Sequence, residues 1–130
     1  MVLDTSALIA LLVGEPSAAR LIAALEVAEV RRVSAATVVE ASLVMLGRFG
    51  EAGDALLDRL LRELNAQVVP VGIEHVALAR DASARFGRGR HSAALNFGDC
   101  FSYALAASSG EPLLFVGEDF RQTDIECVPW

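Results

Sequence analysis

The chain has 130 residues, 54% hydrophobic and 22% charged, a size and balance that exclude a disordered or low-complexity polymer and set one domain over residues 1–130. All 11 basic residues are arginine against 17 acids, a net charge of −6, and without a lysine the chain builds no phosphate-gripping P-loop and no Schiff-base site. Two cysteines without metal-ligand spacing exclude a disulfide scaffold and a zinc site, and no run approaches the ~18 apolar residues of a bilayer span, so a soluble, cytoplasmic protein with no membrane partner is expected.

In chain order, the apolar run 1–3 ending in Asp4 reads as a buried strand, with Asp4 or Thr5 capping a helix. Pro16 opens a second helix over 17–28, with Leu21, Ile22 and Leu25 at helical spacing. Residues 30–33 form a short strand, and Ser34 leads into an apolar helix over 35–46 whose only charge is Glu40. Glycine at 47, 50 and 53 makes 47–53 a break. Residues 55–65 are an amphipathic surface helix, and 67–71 an edge strand, since Pro70 has no amide to donate. A helix over 74–85, a basic loop over 87–91 and a helix over 96–109 follow. The chain closes with a buried strand over 113–116 and a last short strand over 125–128.

Short apolar strands alternating with helices specify a three-layer α/β/α sandwich around a mostly parallel sheet, because parallel strands require crossover helices and are buried on both faces. Functional groups in such folds collect at the carboxyl ends of the strands.

Four acids stand in apolar company. Asp4 ends the first strand, Glu40 lies within Val38 to Ser42, Asp99 within Phe97 to Phe101, and Asp119 follows the apolar run that starts at Leu113. An ionised carboxylate in such surroundings needs a partner, and too few cations lie nearby in sequence for four ion pairs. Carboxylates sharing a pocket repel one another unless a cation sits between them. An all-oxygen donor set selects a hard ion, Mg²⁺ or Mn²⁺, and one or two such ions are suited to hydrolysing a phosphodiester. Singly, each acid also has a plain structural use as a helix cap, surface residue or turn residue, and Asp124 competes with Asp119 for the fourth place.

The segments Val2 to Leu8, Ser34 to Ala41, Leu95 to Ala106 and Leu114 to Phe120, with Thr123 to Ile125, resemble the PIN-domain ribonucleases of the VapC toxin class, in the family's order and over essentially the whole chain. The resemblance implies that Asp4, Glu40, Asp99 and Asp119 form an acidic Mg²⁺ or Mn²⁺ pocket, Asp4 and Asp99 being the direct ligands and the other two acting through water or at a second ion. It implies Thr5 and Ser6 as polar support, and Asn96 and Asp124 at the pocket edge. It further implies a toxin held by a cognate antitoxin, an RNA substrate, a homodimer, and no organic cofactor. The apolar helices around 7–13 and 21–25 are candidates for the antitoxin groove or dimer face, or else plain core.

Two bound divalent cations would cancel four of the six net negative charges, so the acidic composition does not forbid RNA. Arg85, Arg88, Arg90 and His91, just before the Asp99 helix, together with Arg121, are the candidate phosphate contacts. His75 reads as a surface helix residue, so no side chain supplies a general base. A haloacid-dehalogenase-like phosphotransferase is disfavoured, because position 6 is serine where that chemistry needs a second aspartate, and lysine is absent. The alternative is a non-catalytic α/β module whose acidic pocket binds a cation or a partner's arginine.

Overall fold

The computed structural model describes residues 1–130. Four short strands, β1 (Val2–Leu3), β2 (Arg32–Ser34), β3 (Gln67–Val69) and β4 (Leu113–Leu114), form one sheet in the order β3-β2-β1-β4, with every pairing parallel. Six helices connect them: α1 (Thr5–Val13), α2 (Ala18–Glu26), α3 (Ala35–Phe49), α4 (Glu51–Glu63), α5 (Ile73–Phe86) and α6 (Phe97–Ser109).

Alternation along each strand divides the apolar residues between two cores. Leu3, Val33 and Leu114 point to the side covered by α1 to α4, where Leu8, Leu21, Met45 and Leu57 meet them. Val2, Leu113 and Phe115 point to the other side, against Phe86, Tyr103 and Leu105 of α5 and α6. The result is the expected three-layer α/β/α sandwich. β3 lies at the edge, as Pro70 directly after it requires.

The structure differs from the sequence reading in several places. The glycine break is one residue long: α3 runs through Gly47 to Phe49, Gly50 turns the chain at φ 62°, and Gly53 is already inside α4. Gly53 packs so closely on the Met45 carbonyl that a β-carbon there would collide with it, so two of the three glycines are helical. The last strand is reduced to a single parallel bridge between Leu113 and Cys127, formed by Leu113 N–H donating to the Glu126 carbonyl (2.8 Å) and Val128 N–H to the Leu113 carbonyl (2.9 Å). And α1 and α2 are mostly core: Ala7, Leu8, Ile9, Ala10, Leu21 and Leu25 are buried, Leu11, Leu12 and Val13 are half-buried, and only Ile22 and Ala23 of the expected set are exposed. A run of exposed apolar side chains, Val39, Leu43, Leu46, Phe49 and Leu56, lies on α3 and α4. No single helix is long and apolar enough to cross a membrane.

Candidate active site: an acidic pocket at the carboxyl ends of the strands

Asp4 follows β1 and is the N-cap of α1, its backbone extended at φ −91°, ψ 159°. Its Oδ2 accepts from the Ser6 amide (2.9 Å) and the Ser6 hydroxyl (2.6 Å). Ser6 Oγ in turn accepts from the Val116 amide (3.0 Å), which ties the start of α1 to the chain leaving β4. The Asp4 side chain is only 2% exposed, and its other oxygen, Oδ1, is buried without a hydrogen-bond partner. A helix cap needs one carboxylate oxygen; the second, desolvated and unpaired, is the kind of atom a cation satisfies.

Glu40 projects from the second turn of α3, where Thr5 Oγ1 donates to its Oε2 at 2.5 Å. Its carboxylate rests on Gly98, in space that the β-carbon of any other residue would occupy. Asp99 sits in the first turn of α6 and forms a reciprocal cap with Asn96: the Asn96 amide donates to Asp99 Oδ2 (2.7 Å), and the Asp99 amide to Asn96 Oδ1 (3.0 Å). Burial pushes the Asp99 carboxyl up to about 6; the Asn96 backbone hydrogen bond opposes the rise, and the charges of Asp4, Glu40 and Asp119 add to it.

These groups line one cavity of about 310 Å³ with Thr5, Ser6 and Asn96 around them. Asp119 stands outside its wall, exposed, just ahead of a 3-10 turn (Phe120–Gln122), yet close enough for its charge to act on Asp99. No three Asp, Glu, His or Cys side chains are placed to enclose an ion between them. The donor set nevertheless fits Mg²⁺ or Mn²⁺, which keep several waters and are held by one or two carboxylates: Asp4 offers a free buried oxygen, and Asp99 carries a second carboxylate in the same cavity.

Other predicted residues are placed elsewhere. Asp124 is not at the pocket edge: its Oδ2 accepts from Arg85 (2.5 Å) and its Oδ1 from the Tyr103 hydroxyl (2.8 Å), on the wall of a different cavity. The Arg85 guanidinium holds the Asp124 carboxyl below its usual range, and burial with Asp124 beside it pushes Tyr103 to about 12. Arg85 also pairs with Asp81 and so serves this tether between α5 and the C-terminal segment, not a phosphate. Arg121 pairs with Glu118 and lies over the Phe115 ring, while the His91 Nδ1 accepts from the Ala93 amide. Arg88 and Arg90 are exposed and in no ion pair. His75 bridges α5 to α6 through Ser108 (3.0 Å) and does not line the acidic cavity.

Two features escaped the sequence reading. Glu15 and Arg48 also line the acidic cavity, Arg48 being its only cation. Glu40, Val44 and Arg48 follow one another at intervals of four along α3, a spacing that places them on one helix face and was the available signal. Thr37 and Ser102 are fully buried and share a hydrogen bond of 3.1 Å, locking α3 to α6 one turn from Glu40 and one turn from Asp99.

A family model for the PIN domain matches residues 1–126. Ribonuclease VapC30 of Mycobacterium tuberculosis is 50% identical over 128 residues, covering 98% of each chain. The chain belongs to the PIN-domain family, among its VapC ribonucleases. Solved PIN-domain structures share its fold at low identity. The crystal structure of Mycobacterium tuberculosis VapC20, described as a Sarcin-Ricin loop cleaving toxin, superposes with a TM-score of 0.79 at 18% identity over 98% of both chains. A toxin–antitoxin complex from Klebsiella pneumoniae gives 0.71 at 18% identity over 99% of this chain and 97% of that one. The PIN-domain sandwich thus accounts for why Asp4, Glu40 and Asp99, which are 36 and 59 residues apart in sequence, reach one pocket.

Proposed function

We propose that this VapC-type chain is a Mg²⁺- or Mn²⁺-dependent endoribonuclease, the toxin of a toxin–antitoxin pair, with Asp4 and Asp99 as metal ligands and Glu40 and Asp119 as further acids of the same centre. The observation that carries the reading is the buried, unpartnered Oδ1 of Asp4, a residue that lines one cavity with the crowded Asp99 carboxyl. When bound, the ion supplies positive charge that acidifies a water molecule and offsets the charge developing on the phosphoryl oxygens.

The chain's own residues arrange the rest. Ser6 and Thr5 fix the Asp4 and Glu40 carboxylates by donating to one oxygen of each, which leaves the opposite oxygen of each free for the centre. Arg48 at the cavity wall and Arg88 beside Asn96 offer phosphate contacts to an RNA chain that the acids alone would repel. The exposed stripe of Val39, Leu43 and Leu46 on α3, adjoining the pocket-lining face of the same helix, supplies apolar surface for an antitoxin segment or a second copy of the chain. That an antitoxin binds is supported by the fold shared with the toxin–antitoxin complex.

Cleavage of a mixed tRNA and rRNA substrate by antitoxin-free protein, in Mg²⁺, Mn²⁺ or EDTA, tests the reading. Metal-dependent cleavage is expected; folded protein that binds Mn²⁺ and cuts no RNA would favour a pocket that holds a cation without turnover.

A further inference from the structure

A cavity of about 590 Å³ lies between α5 and the first turns of α6, and apart from Arg88 the reading above leaves its wall without a use. It adjoins the acidic pocket directly, since Asn96 lines both. Its size is within the ~300–1,000 Å³ of small-ligand sites. On its wall Phe97 is 81% exposed, two residues from Asp99, although an aromatic ring gains most by burial. Phe101 braces that ring in an edge-to-face pair, with centroids 5.0 Å apart and planes at 72°.

Arg80 and Arg88 complete the wall, and neither is in an ion pair, whereas Arg32, Arg59, Arg85 and Arg121 each have a carboxylate partner. An exposed aromatic sharing one cavity with two guanidinium groups that are in no ion pair, on a protein of net charge −6, matches what single-stranded nucleic acid requires: a π-face for a base and cations for the flanking phosphates. A plain apolar partner would not call for the arginines, and a free anion would not call for the ring.

We propose that this groove is a nucleobase subsite, in which a base next to the scissile phosphate stacks on Phe97 while Arg88 and Arg80 hold the phosphates beside it. The subsite rests on the ribonuclease reading and adds to it a means of selecting unpaired RNA: a base held in a duplex cannot reach the Phe97 face.

Phe97→Trp in the Asp99→Asn protein provides a probe that does not depend on cleavage. A short single-stranded RNA is expected to quench the added indole fluorescence, with affinity falling as salt rises. In the active protein, Phe97→Ala and Phe97→Leu are expected to raise KM for single-stranded RNA at least tenfold, and Phe97→Trp to keep it, because leucine fills space but cannot stack. Unquenched Phe97→Trp, or an unchanged KM in both Phe97→Ala and Phe97→Leu, overturns the subsite. So does a Phe97→Ala protein whose only change is a shift in oligomeric state by light scattering, with Phe97→Leu behaving as wild type; the groove would then be a subunit interface. Wild type that cuts no RNA would defeat the ribonuclease reading instead, and the quenching experiment would still decide whether RNA binds here.

Discussion

Replacing Asp99 by asparagine is expected to abolish cleavage and, in metal-free protein, to raise stability. Asparagine retains an oxygen to accept the Asn96 amide hydrogen, so the cap at the start of α6 survives. What disappears is a carboxylate that burial and the neighbouring acids push from 3.8 to about 6. With the folded pKa above the unfolded one, the stability linked to protonated Asp99 is fully present below the unfolded value and is lost as pH rises through about 6. At 1.36 kcal/mol per unit, the rise corresponds to ~3 kcal/mol, which solvent screening of this partly exposed group reduces to ~1.5 kcal/mol. In a domain of this size that is a Tm change of roughly 5 °C. Melting in EDTA at pH 7.5 and pH 5 reads it directly: the variant should melt higher at pH 7.5, and the gap should narrow at pH 5, where wild-type Asp99 is mostly protonated in the folded state. In excess Mn²⁺ the order should reverse, since only wild type gains from a ligand bound to the folded state. A variant that melts at or below wild type at pH 7.5 in EDTA, or a gap that ignores pH, refutes the argument.

Other substitutions test other parts of the site. Gly98→Ala puts a methyl group where the Glu40 carboxylate rests, so it should cut kcat by about tenfold or more while far-UV circular dichroism stays unchanged, and a kinetically normal variant would show that Glu40 does not need its seat. Arg48→Ala should raise KM for RNA several-fold and lower the salt dependence of binding by roughly one phosphate contact, with Mn²⁺ affinity unchanged; a fall in kcat alone would argue against a phosphate contact. Thr37→Val and Ser102→Ala should each cost about 1–2 kcal/mol in urea melts, because each strands a buried hydroxyl, and the double variant should cost less than the two added together.

How far these features were legible in the sequence follows from how local their causes are. Asp4, Glu40 and Asp99 could be singled out because each carboxylate has apolar neighbours in the chain, and burial of a charge demands an explanation wherever it occurs. The sandwich itself was legible from short apolar strands between helices, and the edge position of β3 from Pro70 alone. Asp124 shows the limit: next to Asp119 in one short segment, it is turned away by Arg85 and Tyr103, partners 39 and 21 residues distant that only the folded chain brings near. Arg48 escaped notice for the opposite reason, since an exposed arginine near a helix end has an ordinary solvated use until the cavity beside it is seen. The glycine break was drawn too wide because Gly53 serves close packing on Met45 and not a turn, a distinction that depends on tertiary contact.

The central claim is that Asp4 and Asp99 hold a metal that this chain uses to cut RNA. The most direct test is cleavage of a defined single-stranded RNA by antitoxin-free wild type, Asp4→Asn and Asp99→Asn, each with Mn²⁺ or EDTA, alongside Mn²⁺ binding by calorimetry. The account predicts cleavage and Mn²⁺ binding by wild type only, with both variants folded and EDTA silencing the reaction. Cleavage that persists in EDTA, or in either folded variant, would contradict it.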